Sequence, residues 1–287
     1  MGASLYNDAF VRSYTLMPFF WLRAALVLYG AGLVYSLLSL ARKSERLARV
    51  VMPLIWLGAT LHLVSLVESA WQAGELVPAS PHQAESLLGF LVMAIFLAFW
   101  IKYKTLSPGI FVFPLVFLLT LAASAGAQPP EFTSPMLRKG WIVAHVTLIF
   151  LGYAALFLSF VASLLYLLQE RSLKSKRLRS TRLRMPALEV IDEMGYRSLL
   201  LGFPLMTLGL IAGTWMAEAQ FGAVFFRDPK IVLSLLMWAV YTLLLVTRWN
   251  AGWRGRKAAF LSTFAFLAAI GAWMANYFSL THRFLGP

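Results

Sequence analysis

The sequence predicts an all-α fold, a polytopic integral membrane bundle of about eight transmembrane helices, on three observations. Of the 287 residues, 60% are hydrophobic and only 13% are charged, with a mean hydropathy of +0.73, a balance outside that of soluble domains. Apolar runs long enough to cross a hydrocarbon core of about 30 Å recur along the whole chain. Lysine and arginine are concentrated in alternate connections between those runs, the pattern that sets orientation in a membrane.

The first run, near 19–40, is not preceded by a positively charged start and a small-residue cleavage site, so it reads as a true span and not as a removed signal peptide. Further runs lie near 50–71, 85–101, 109–125, 141–168, 199–217, 231–247 and 258–279. The fifth is long enough to tilt or to project beyond the bilayer. The connections after the first, third, fifth and seventh runs carry Arg42, Lys43, Arg46 and Arg49; Lys102 and Lys104; a cluster from Arg171 through Arg184 with Arg197; and Arg248, Arg254, Arg256 and Lys257. The opposite connections carry Arg138, Lys139, Arg227 and Lys230. Retention of the basic loops in the cytoplasm then puts both termini outside, in a multi-pass protein expected in a bacterial cytoplasmic (inner) membrane.

The net charge of +13 follows from those basic loops. Beside a bilayer they anchor orientation and meet anionic membrane lipid, so no nucleic acid is expected as a partner. With no cysteine in the chain, disulfides, thiolate metal sites and covalent haem attachment through its own thiols are excluded. No soluble domain, low-complexity tract or internal repeat stands out, and residues 1–287 read as a single transmembrane domain. The longest non-spanning piece is 169–198. Its second half, Met185–Tyr196, follows Pro186 with apolar residues at helical spacing and is expected to lie along the inner interface. The connection Gln128–Lys139, with three prolines, reads as irregular and delivers the chain to Trp141, an interfacial anchor.

Histidine is the side chain here suited to a transition metal, and there are four. His145 lies about one turn inside the outer end of the fifth span, where it reads either as an interfacial histidine with a polar neighbour or as a ligand. His282, after the last span, reads as a solvated tail residue or as a ligand at the same membrane level, where haem iron held between helix ends takes two nitrogens. His82, after Pro81, reads as a loop residue. His62 falls near the middle of the second span, where a polar group is costly and calls for a function or for a hydrogen bond across a helix interface.

Between the sixth and seventh runs, Phe221, Phe225 and Phe226, with Trp215 just before them, offer flat apolar surface. Such surface suits either a membrane aromatic belt or a stacked porphyrin. Asp228-Pro229 makes a turn from which the next helix starts cleanly. Arg227 and Lys230 suit haem propionates or lipid phosphate.

The chain resembles the CcsA, CcmC and HemX-type cytochrome c assembly proteins, best over Leu188 to His282 and in the first half mainly through its hydropathy, His62 and the His145 segment. The resemblance is carried by Leu188–Arg197, Gly202-Phe203-Pro204, Gly209, Gly213-Thr214-Trp215, Asp228-Pro229-Lys230, Trp238, Tyr241, Arg248 and Gly252–Ala259. In that family a tryptophan-rich outer loop of the form WGxxWxWDPKE binds haem, flanked by two external histidine ligands. The resemblance therefore implies a non-covalent haem b site with His145 and His282 on the iron and with Trp215, Phe221, Phe225, Asp228 and Lys230 around it. The loop tryptophans and the final glutamate are absent here. It also implies an inner haem site within the membrane; His62 supplies one ligand, but Val246 stands where the family places the second. The implied function is haem binding and presentation at the outer face for cytochrome c biogenesis, with a larger ResB-type (Ccs-one) protein and apocytochrome c as partners. At most this chain is then the haem-handling subunit of a cytochrome c synthetase, or haem lyase. A HemX-type regulator of haem biosynthesis, acting through a cytosolic enzyme at the basic inner loop, is the alternative.

Overall fold

The computed structural model describes residues 2–41, 45–74, 78, 80–126, 140–174, 186–221 and 228–275, with side chains from 19 onward except at 40, 41, 45, 46, 73, 140 and 219–221. Among them are eight helices and no strand: α1 (Gly2–Ala41), α2 (Glu45–Ala73), α3 (Pro81–Tyr103), α4 (Gly109–Ala125), α5 (Gly140–Lys174), α6 (Leu188–Phe221), α7 (Pro229–Asn250) and α8 (Arg256–Met274). Seven are long and apolar enough to cross a membrane. The remaining one, α4, has 17 residues, about 25 Å of helix, at the short end of the spanning range.

Neighbours along the chain run antiparallel. Tyr29 meets His62 between α1 and α2, His62 meets Ser86 between α2 and α3, and His82 meets Ala122 between α3 and α4. In the second half His145 meets Gly209, Asp192 meets Arg248, and Phe150 meets Trp273 across α5 and α8. One end of the bundle therefore collects the starts of α3, α5 and α7. The other collects the basic residues around Lys104, Arg171, Arg248 and Arg254. At that basic end Lys104 lies 4.7 Å from the centre of the Trp100 ring and Lys257 lies 5.6 Å from that of Trp253, cation–aromatic pairs suited to an interface.

Two apolar cores share α5. The first packs α1 to α4 and the start of α6 against one face of it; the second packs α6, α7 and α8 against another. Accordingly 72% of the apolar window of α5 is buried, against 22% for α6, so α5 is the central post and α6 lies at the periphery of the bundle. Lipid is as apolar as leucine, so close approach and cross-helix hydrogen bonds must hold such helices together. Along α6, Gly195, Gly202 and Gly209 recur at seven-residue spacing on the face toward α5. There a Cβ on Gly202 would stand 2.8 Å from Leu156 Cγ, and one on Gly209 2.8 Å from Ile149 Cδ1. The backbones come that near because no side chain intervenes. Ser159 Oγ adds a 2.9 Å bond to the Gly195 carbonyl.

Two expectations are corrected. Residues 188–196 do not form a separate interfacial segment; they are the first turns of α6, which continues unbroken for 34 residues, about 51 Å. Gly195 does not break the helix because it is pressed against Ala162 and the Ser159 carbonyl of α5. His82 is not in a loop: Ser80 caps α3 by accepting from Gln83 N, Pro81 opens it, and His82 stands in its first turn. The proline that suggested a loop is the residue that starts the helix.

Candidate functional site

At the end opposite the basic residues, three helices bring sequence-predicted residues together. His145 enters from the second turn of α5. Its Nδ1 lies 2.7 Å from the Gly209 carbonyl of α6. A carbonyl only accepts, so Nδ1 carries the proton and Nε2 keeps its lone pair, the form in which an imidazole binds iron. Four residues before it on the same helical face, Trp141 is exposed; its ring lies 4.9 Å from that of Trp215 on α6. Two indoles tilted against each other thus form an open apolar shelf about one turn outside the imidazole.

The start of α7 completes the cluster. Asp228 is buried and caps the helix, its Oδ1 accepting from Lys230 N at 2.8 Å, and Pro229 occupies the first helical position, where a missing N–H costs nothing. The cap sets the direction of the helix start, and the Lys230 side chain comes within electrostatic reach of His145. An imidazole with a fixed tautomer, a flat apolar shelf and a cation nearby are chemically compatible with an iron porphyrin and its anionic propionates. Phe221 ends α6 with its side chain outside the described residues, as are Phe225 and His282 in full.

His62 is elsewhere, between α1, α2 and α3, with no exposed surface. Nε2 is 3.0 Å from Ser86 Oγ, and the Tyr29 and Phe90 rings lie edge-on at 5.8 and 5.7 Å. Neither Nδ1 nor the nearby Tyr29 hydroxyl has a hydrogen-bond partner among the described residues. Contact with a porphyrin there requires α1, α2 and α3 to part. Val246 is on α7, 41% exposed, a helix that packs in the second core, whereas His62 packs against Tyr29 of the first.

Two features of the folded chain lie beyond what the sequence assigns. Trp141 reads in sequence only as an anchor, although its spacing of four from His145 is a signal that both share a face. At the basic end, a cleft of about 810 Å³ is lined by Tyr103, Tyr166, Asp192, Tyr196, Arg248 and Trp249, among others. Asp192 holds it together, pairing with Arg248 at 2.7 Å and accepting from Gly255 N at 3.1 Å.

A family model described as Cytochrome C assembly protein matches residues 79–282. The chain is 29% identical to the cytochrome c biogenesis protein CcsA of Pyropia yezoensis over 93% of its own length and 91% of the relative's. It is 30% identical to CcsA of Prochlorococcus marinus subsp. pastoris over 92% and 91%, and 27% identical to CcsA of Chlamydomonas reinhardtii over 81% and 67%. The matched stretch runs from the start of α3 past the end of α8 and contains the His145 cluster whole; the chain belongs to the cytochrome c assembly protein family, as a CcsA-type member.

Proposed function

We propose that this protein acts in cytochrome c biogenesis by holding non-covalent haem at the end of the bundle where α3, α5 and α7 start, and that this end faces outward. The observation that carries the reading is His145, tied through Nδ1 to the Gly209 carbonyl beside the Trp141–Trp215 shelf. In this reading His145 Nε2 and His282 bind the iron, Trp215 and Trp141 stack, Phe221 and Phe225 extend the apolar surface, and Lys230 neutralises propionate charge with Asp228 fixing its helix start. His282 follows Ala275 by seven residues, a reach of about 25 Å in extended chain. At the end of α8, Trp273 is already 5.9 Å from Phe150, five residues from His145 along α5. When bound, haem supplies the porphyrin that is joined to apocytochrome c, whose thiols do that chemistry because this chain has none. The two imidazoles, of His145 and His282, would hold the iron and limit its access to other ligands. A ResB-type protein is the expected partner in that step. Relatives named for cytochrome c biogenesis favour this reading over a HemX-type regulatory one.

The deciding measurement is the visible spectrum of the detergent-purified protein supplied with haem, native against the double variant His145→Ala, His282→Ala. A Soret band with a six-coordinate low-spin pattern that is lost in the variant is the expected result. An unchanged band in the variant rejects the ligand assignment.

A further inference from the structure

Gly209 and Gly213 stand one turn apart on the face of α6 toward α5, and their relations to His145 differ. The Gly209 carbonyl takes the imidazole Nδ1 at 2.7 Å, while in a regular helix it also accepts the N–H of Gly213, using both lone pairs. A Cβ on Gly209 would meet Ile149 Cδ1 at 2.8 Å. A Cβ on Gly213 would meet the imidazole itself, 2.5 Å from Cε1, 2.7 Å from Nδ1 and 3.5 Å from Nε2. The ring therefore fills the volume that any side chain at 213 would need, and from there Nδ1 reaches the carbonyl. Both helix backbones are in their usual conformation, so a missing side chain, not unusual backbone freedom, makes the seat.

We infer that Gly213 is a positioning residue for the haem ligand: by leaving that seat empty it fixes the orientation and tautomer of His145, so that Nε2 is the nitrogen offered to iron. The inference rests on the reading of His145 as a ligand. An imidazole whose Nδ1–H is held by a carbonyl is a stronger donor and favours the ferric state. A methyl at 213 expels the ring, breaks its bond to Gly209 and leaves Nε2 without a fixed direction.

The test uses the full chain in detergent, in native form and as Gly213→Ala, Gly202→Ala, His145→Ala and the double variant His145→Ala, Gly213→Ala. Without haem, thermal unfolding is read first. Gly213→Ala is expected to lower the midpoint in the native background and to have no effect, or a much smaller one, once His145 is alanine, because the methyl then occupies space the ring has left. If Gly213→Ala does not fold, recovery of folding in the double variant gives the same answer. An equal penalty in both backgrounds overturns the inference.

With haem, Gly213→Ala is expected to lose most of the low-spin spectrum and to raise the midpoint potential, and added imidazole to restore the low-spin form. Gly202→Ala places a methyl in the same α5–α6 seam, against Leu156, and controls for damage to packing alone. Loss of the spectrum in both glycine variants alike counts against a seat. A native spectrum and potential in Gly213→Ala, with His145→Ala defective, rejects the seat and keeps the ligand; a native spectrum in His145→Ala rejects the ligand reading itself.

Discussion

Asp192 shows what a single residue does in this bundle. Its two carboxylate oxygens reach different partners, Arg248 Nη2 at the end of α7 and Gly255 N at the start of α8, and Arg248 lies over the Tyr196 ring at 4.7 Å. One side chain thus ties the start of α6 to the α7–α8 connection, with the negative charge placed at a helix N-terminus. Asp192→Ala leaves Arg248, 10% exposed, without its anion. It is expected to cost about 1–3 kcal/mol, read as a lowered unfolding midpoint in detergent, while haem affinity at the far end stays near native. At this scale the sequence reveals residue types but not partners. Asp192 and Arg248 are 56 positions apart, and nothing in their spacing joins them. His145 is visible as a candidate because a polar residue near a helix end is conspicuous; the Gly209 carbonyl that sets its tautomer is not, because every residue has a carbonyl.

At the scale of the element, the α5–α6 seam and the start of α7 position the candidate site. Gly202→Leu drives a large side chain into Leu156 and the Gly152 carbonyl, which lies only 3.0 Å from where the new Cβ would stand, and is expected to separate α5 from α6. Loss of folded protein on size-exclusion chromatography checks this, with Leu201→Ala, an exposed neighbour on α6, near native. The α7 cap is a smaller matter. Asp228→Ala removes the bond to Lys230 N and is expected to cost about 1 kcal/mol, with hydrogen exchange rising in the first turn of α7 before the rest of the helix. The Asp228-Pro229 start is legible in the sequence because capping and proline placement are local chemistry. The inner start of α6 is not. Residues 188–196 look amphipathic in isolation, and only contact with α5 lets them continue as one helix through Gly195.

For the whole molecule, the alternation of helices separates a basic end from the His145 end. In the proposed orientation a cysteine introduced as Glu218→Cys reacts with a membrane-impermeant maleimide added outside, whereas Arg254→Cys reacts only after the membrane is opened. The chain's lack of cysteine makes the background silent. The reverse pattern inverts the assignment and with it the outward placement of the haem site. By itself the sequence determined that this is a helical membrane protein, how many apolar helices it has, which ends share a side and where α7 begins, because hydropathy, charge asymmetry and capping act over a few residues or a single span. Only the tertiary structure decided that α5 is the shared post of two cores, that Trp141 pairs with Trp215, that His145 lies in a seat emptied by Gly213, and that His62 is closed in by α1 and α3. These depend on which faces of distant helices meet, and in lipid that choice is made by shape, small residues and a few polar contacts; even where the small residues recur, as Gly195, Gly202 and Gly209 do at seven-residue spacing on α6, the spacing does not name the helix they meet.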